Sequence, residues 1–487
     1  MKNKKEELLE LEIEAIGFEG ISIARKQTVS DISDSADTNK MQVYFVRGGL
    51  PGDTVIASLK KRNKKYTEAT IKEIVKPSPN RIDAFCEYFG SCGGCTWQCL
   101  EYSEQLKWKK QHTVEAHSRL GNLSKEYLNK VIYHDTVPAK QTFEYRNKMD
   151  FSFSSSRWLT TKEINSGKEF DNNFALGLHI PGRFDKVLDI KNCKIQKNEW
   201  NEILDFIRQK AISEKIEAYN SFRKTGFLKG LCLRNSQFKN ETMVNLFTTS
   251  QQNKNEEYFI NWYRFEVAKK FPFITSTVHT VNNQNSVNMG KIQFIKGKNF
   301  ITEAILGIEY QISPFSFFQT NSTQLDTFIK LILDCANLKS SDTVWDLYCG
   351  TGSITLPAAK LCSEIYGIEL SESSVNDAKK NAENNNISNS YFYAADLHSA
   401  KIPDLLTTLP KPDTVIFDPP RSGMNSNLIK HILKVSPKKL VYVSCNPATQ
   451  ARDLTELSQK YQLSEVFTVD MFPHTYHIET VAVLERN

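Results

Sequence analysis

The stretch 441–454, VYVSCNPATQARDL, presents a cysteine where chemistry is commonly done. Val441, Tyr442, Val443 and Ser444 read as a buried strand that delivers Cys445 to its end, and Asn446-Pro447 then opens a helix. A thiol beside a helix N-terminus is expected to ionise more readily, because the partial positive charge there favours thiolate, the nucleophilic form. The bland alternative is an inert core cysteine, since free cysteine is among the most buried residue types. Nearer the end of the chain, 472–484 (FPHTYHIETVAVL) has Glu479 opening an alternating strand. A carboxylate at a strand mouth among apolar residues is expected to be partly buried, which raises its pKa toward a general-base range.

Two upstream motifs supply what a thiol and a base lack. Residues 343–347 (TVWDL) form a short apolar strand, Tyr348-Cys349-Gly350-Thr351-Gly352 a glycine-punctuated turn, and 353–361 a helix. A second strand, 365–368, ends in Glu369, 19 residues after Gly350, which fits a βαβ unit whose acid is aimed at ribose hydroxyls. The third glycine of the dinucleotide fingerprint is missing and no phosphate-binding lysine follows, so a nucleoside cofactor other than NAD or ATP is expected. In 415–423 (VIFDPPRSG), Asp418 sits at the carboxyl end of another predicted parallel strand, where open α/β sheets place ligands. The two prolines fix a rigid turn and remove backbone donors there.

Together with 313–321 (SPFSFFQTN), the segments DLYCGTG, FDPPRSG, VSCNP and HTYHIETV resemble the S-adenosylmethionine-dependent RNA 5-methyluridine methyltransferases. The resemblance covers about the last 180 residues, with the motifs in the family's order. It implies a Rossmann-like class I methyltransferase domain over 307–487, in which Gln319, Tyr348, Glu369 and Asp418 contact S-adenosylmethionine. It also implies that Cys445 is the nucleophile and Glu479 the proton acceptor. The residue types suit the reaction. Carbon 5 of uracil is too poor a nucleophile to take a methyl group directly, but thiolate addition at carbon 6 makes the ring an enolate whose carbon 5 can. A base must then remove the proton left on carbon 5.

Ten cysteines are spread unevenly along the chain. Cys86, Cys92 and Cys95 give C-x5-C-x2-C, with Gly93-Gly94 letting the backbone wrap closely. A disulfide framework is not expected in a large cytosolic enzyme, which leaves zinc or an iron-sulfur cluster, either of which takes four thiolates. FGSCGGCTWQ resembles the motif with which many members of the same methyltransferase family hold a 4Fe-4S cluster. Local spacing allows Cys99 as the fourth ligand; the resemblance points to Cys193.

The remaining readings concern organisation and partners. Residues 8–74 show short alternating strands with glycine turns at Gly17, Gly20, Gly48-Gly49 and Gly52, which predict a small barrel. GFEGISIAR and VYFVRGGLPGDTVIASLKK resemble the TRAM domain, an oligonucleotide-binding-like fold, and 28–40 reads as a polar loop between them. The expected architecture is α/β, with a TRAM RNA-binding barrel over 1–76, a mixed α+β central domain carrying the cysteines over 77–306, and the catalytic domain. Net charge is only +6, yet 58–81 carries eight basic residues against two acidic ones, a composition suited to a polyanion. Tyr44, Phe45 and Tyr66 are candidates to stack on bases or to fill the barrel, and Arg146 and Lys148 to touch RNA or to form salt bridges.

No apolar run approaches membrane-spanning length, so a cytoplasmic protein with no membrane association is expected. Nothing calls for an obligate protein partner, and a monomer is the expectation. The implied substrate is a uridine in structured RNA, 23S ribosomal RNA first and transfer RNA second. Two other classes remain open. An iron-sulfur methylthiotransferase also combines a TRAM-like module with three cysteines, but in C-x3-C-x2-C spacing and with no use for Cys445 and Glu479. A non-catalytic RNA-binding factor would leave both residues idle.

Overall fold

The computed structural model describes residues 7–27, 41–251, 253–284 and 289–487. The predicted loop 28–40 lies outside them. Five strands, Leu8–Ile16, Ser22–Gln27, Met41–Arg47, Thr54–Arg62 and Tyr66–Lys76, close into a barrel through the pairing of the first strand with the fourth and the third with the fifth. Alternate residues point inward, and Leu11, Ile13, Tyr44, Val46, Val55 and Ala69 fill the interior. Tyr44 is therefore a barrel filler, while the rings of Phe45 and Tyr66 lie 4.6 Å apart outside that core. Within the basic stretch, Arg81 forms a largely buried pair with Asp53, so it belongs to the barrel's own closure.

The middle of the chain builds an eight-stranded mixed sheet. Two of its strands, Leu228–Ser236 and Glu241–Thr248, are buried along their whole length. The helices Glu199–Ser213 and Lys254–Lys270 cover one face, burying Trp200, Ile203, Ile207, Phe259, Tyr263 and Val267 against the sheet.

The C-terminal part is a doubly wound sheet, and its order positions the chemistry. Three parallel strands run outward from Thr343–Leu347 through Glu364–Glu369 to Ser390–Ala394, and the chain then returns to lay Thr414–Phe417 and Lys439–Ser444 on the other side. The order reverses between Thr343–Leu347 and Thr414–Phe417, which opens the ligand crevice such sheets have at their carboxyl ends. An antiparallel hairpin, Tyr461–Val469 and Glu479–Arg486, then extends the sheet, with Glu479–Arg486 inserted next to Lys439–Ser444. The far edge is Ile132–Tyr133, from a segment whose long helix Tyr102–Arg119 packs on the helix Pro447–Leu457. Among the described residues no helix is long and apolar enough to cross a membrane.

Candidate active site

Sheet register alone brings the two reactive side chains together. Ser444, the last residue of its strand, pairs with Thr480 across the antiparallel ladder. The residue after Ser444 therefore meets the residue before Thr480, and these are Cys445 and Glu479. In the parallel part, Leu347 pairs with Phe417, so Tyr348 and Asp418 leave adjacent strands at the same level. All four line one cleft of about 940 Å3, together with Gln319, Glu369, Arg421 and His477. Every residue expected to contact the cofactor or the reacting base is thus in a single depression.

The glycine turn is built to receive a ligand. Tyr348 and Gly350 both have positive φ, 69° and 56°, which bends the chain sharply off its strand. Gly350 N–H donates to Glu369 at 3.2 Å and Ser371 N–H to its other oxygen at 2.9 Å, fixing the carboxylate beside the turn. Asp346, fully buried behind it, accepts from Thr355 Oγ1 but leaves its other oxygen without a partner, as does the buried hydroxyl of Tyr348. The helix after the turn spans only Thr355–Ala359, shorter than the expected 353–361. Pro357 restricts it, because proline is tolerated only in a first turn.

Electrostatics in the cleft depart from the simple expectation for Cys445. The helix Pro447–Leu457 does begin beside it, with Asn446 as N-cap. The thiol is nevertheless pushed up to about 11, by burial first and then by the carboxylates of Glu479 and Asp418, against the lowering effect of Arg421. A helix end is a fraction of a charge, and burial of the thiol outweighs it. Burial raises Asp418 to about 7. Burial and Asp418 raise Glu479 well above the usual carboxylate range, with Arg421 and Lys109 opposing. Glu479 is more buried than an alternating strand predicts, because its strand is interior to the sheet and its first six residues are all buried. A thiol and a proton-accepting carboxyl that face each other across a crevice can add to an electrophilic carbon and take a proton from its neighbour.

Sequence reading singled out neither Arg421 nor His477. Arg421 lies inside the DPPR motif and His477 two residues before Glu479, so position within a motif was the available signal.

A second cavity, of about 500 Å3, adjoins the first and shares Gly93, Gly94, Arg146 and Thr320 with it. Cys86, Cys92, Cys95 and Cys193 line it. Gly94 N–H donates to Cys92 Sγ at 3.3 Å, and a side chain at Gly93 would sit 3.3 Å from the carbonyl oxygen of His179, so the loop passes close to its neighbours. Cys193 is oriented by its N–H donating to Asn201 Oδ1 at 2.9 Å. Burial raises Cys92 to about 11 and Cys95 to about 12, with the neighbouring thiols adding to the shift. Cys99 is elsewhere, packed with Trp97 and Leu100 and facing Arg81. Among the described residues no three His, Cys, Asp or Glu side chains are gathered tightly enough to hold a metal ion. The four thiols surround the cavity without closing on it. Lys148 pairs with Asp150 at 3.1 Å, and Arg146 stays on the cavity walls.

Residues 291–487 match the family described as tRNA (Uracil-5-)-methyltransferase. An uncharacterized RNA methyltransferase of Bacteroides thetaiotaomicron is 38% identical over 91% of this chain and 96% of its own. Another from Chlorobaculum tepidum is 38% identical over 90% of each. The crystal structure of the Pyrococcus abyssi tRNA (uracil-54, C5)-methyltransferase, solved with S-adenosyl-L-homocysteine, superposes with a TM-score of 0.71 at 27% identity, covering 98% of this chain and all of its own.

Proposed function

The chain belongs to the RNA (uracil-5-)-methyltransferase family, and from that premise we propose that it methylates carbon 5 of one uridine in structured RNA through a covalent Cys445 adduct, with Glu479 as base. The observation that carries the proposal is the convergence of Cys445, Glu479 and Asp418 at one end of the sheet by strand register. Bound S-adenosylmethionine supplies an electrophilic methyl group. Gln319, Tyr348, Glu369 and Asp418 hold it, the last three at strand ends or on the glycine turn. Tyr348 and Glu369 flank the glycine turn on the wall of the cleft, which supports a ligand placed there.

Cys445 thiolate adds to carbon 6 of the uracil ring, and carbon 5 of the resulting enolate takes the methyl group as the sulfur–methyl bond breaks and S-adenosylhomocysteine departs. Glu479 then removes the proton from carbon 5; those electrons form the carbon 5–carbon 6 double bond, the carbon–sulfur bond breaks, and Cys445 leaves as thiolate. Burial and the neighbouring Asp418 raise the Glu479 pKa, and a raised pKa makes a carboxylate a stronger base toward a carbon-bound proton. The ring face must be reached, so the uridine is flipped from its stack.

Cys86, Cys92, Cys95 and Cys193 are proposed to hold a 4Fe-4S cluster. The donor set, four thiols lining one cavity with no carboxylate or imidazole among the proposed ligands, is of the kind that holds such a cluster. The cluster would cross-link the cysteine loop to residue 193. For the RNA, 23S ribosomal RNA is the first reading, from the resemblance of the barrel and cysteine motif. Transfer RNA is the second, favoured by the named action of the Pyrococcus abyssi relative. Mapping 5-methyluridine in ribosomal and transfer RNA from a strain lacking the protein tests both. A missing mark in 23S RNA is expected, a missing mark only in transfer RNA establishes the second reading, and no missing mark contradicts the proposal.

A further inference from the structure

Glu479 is reached through the loop 470–478, and that loop is held mainly by groups from outside the C-terminal sheet. Asp470, just after the strand Tyr461–Val469, forms an ion pair of 2.6 Å with Lys109 of the helix Tyr102–Arg119, and both side chains are fully buried. Lys109 also donates to the carbonyl of Phe472 at 3.1 Å, and Tyr102 donates its hydroxyl to Asp470 at 2.9 Å. One turn along the same helix, Gln105 accepts from His474 N–H at 2.9 Å. His474 has φ 64°, a conformation non-glycine residues seldom adopt unless held there. Its carbonyl accepts from Thr96 and Trp97, both at 2.9 Å, which directly follow Cys95. Val469 pairs with Glu479, so anything that shifts Asp470 acts one residue away from the base's own partner.

A buried ion pair is a poor way to gain stability, because the cost of removing both charges from water is comparable to their attraction. Its use here is geometric. It joins residues far apart in sequence at a fixed point, while an apolar contact would let the loop slide. The charge of Lys109 also reaches Glu479.

We infer that Lys109, acting through Asp470, is a positioning residue that sets where Glu479 stands over the covalent adduct, so that its loss slows release of the adduct and leaves its formation largely intact. The inference rests on the assignment of Glu479 as base. Carbon-proton abstraction is the step most sensitive to a small displacement of a carboxylate. Cys445 is carried by the strand Lys439–Ser444, which pairs with the other edge of the Glu479 strand from Tyr461–Val469.

The test follows adduct formation and decay in the full-length protein by denaturing quench, using S-adenosylmethionine and labelled, unmodified RNA from a strain lacking the protein. Wild type, Lys109→Met and Glu479→Gln are compared. Lys109→Met should form adduct at close to the wild-type rate and release it roughly tenfold or more slowly, the scale expected when a reacting group is misplaced by a fraction of an ångström. Formation and release slowed by the same factor would mean a general structural role and would overturn the inference, as would wild-type behaviour. If Lys109→Met fails to bind S-adenosylmethionine, Tyr102→Phe carries the test, because it trims one hydrogen bond to Asp470: prolonged adduct lifetime supports positioning, and an unchanged lifetime overturns it. Should Glu479→Gln fail to trap adduct, the base assignment itself falls. A trap in Glu479→Gln with no delay in Lys109→Met removes only the role of Lys109.

Discussion

Cys445 and Glu479 meet through a ladder of paired strands, whereas Cys86, Cys92, Cys95 and Cys193 reach one cavity on loops far apart in sequence. The difference has consequences for what each place tolerates. A strand end is fixed by every hydrogen bond behind it. The cysteine cavity has four thiols on its wall, carried by loops with no ladder behind them. We expect the first region to be preorganised and the second to depend on what it binds. The two also touch, since Gly93 and Gly94 line both cavities and Thr96 and Trp97 donate to the carbonyl of His474 in the loop that leads to Glu479.

The comparison breaks most sharply at the nucleophile. Cys445→Ala should lower methylation by on the order of 10⁴-fold or more, while S-adenosylmethionine binding by calorimetry stays close to wild type, because the cofactor residues sit on other strands. Loss of cofactor binding in a folded protein would show that the thiol is part of the binding surface instead. In the second region, Cys92→Ser should remove iron and brown absorbance, lower the melting temperature by several degrees and reduce activity secondarily, since a missing ligand exposes the cluster. Stoichiometric zinc and no iron in anaerobically purified wild type would contradict the cluster.

A smaller effect sharpens the account of the cleft's charge. Asp418 is held at about 7 in the bare protein, well above its ordinary value of about 4. Between those values the folded protein keeps a proton that the unfolded chain has released, so this group's contribution to stability declines as pH rises from about 4 to about 7. A cationic ligand favours the carboxylate, so affinity for S-adenosylmethionine should weaken by roughly tenfold for each pH unit below about 7. Asp418→Asn should bind more weakly and lose that dependence. An identical pH slope in the variant would assign the effect to another group, of which Asp346, also held at about 7 by burial, is the nearest candidate.

What the sequence made legible follows the same division. Tyr348, Asp418 and Cys445 each end an apolar run, and such a run read as a parallel strand already says that its last residue opens on the ligand side. The barrel was legible for a similar reason, as alternation punctuated by glycine. The pKa of Cys445 was not. The helix beside it is local, but the opposing carboxylates arrive from other strands. Lys109 was equally hidden: in the run Lys107-Trp108-Lys109-Lys110 nothing marks which lysine faces inward, and only the packing of its helix on the C-terminal sheet decides it. Cys193 could not be chosen over Cys99 from local spacing, because what separates them is three-dimensional. Cys99 turns toward Arg81 and the barrel, and Cys193 toward the other three thiols.

Glu479 is proposed to act only after the covalent bond has formed, and Glu479→Gln tests this most directly. Addition by Cys445 and methyl transfer need no base at carbon 5, so the variant should accumulate as a covalent complex with methylated RNA. On a denaturing gel with labelled RNA this is a retarded band that requires both S-adenosylmethionine and Cys445. A Glu479→Gln protein that binds RNA and cofactor, forms no such band and turns over at near the wild-type rate would contradict the account.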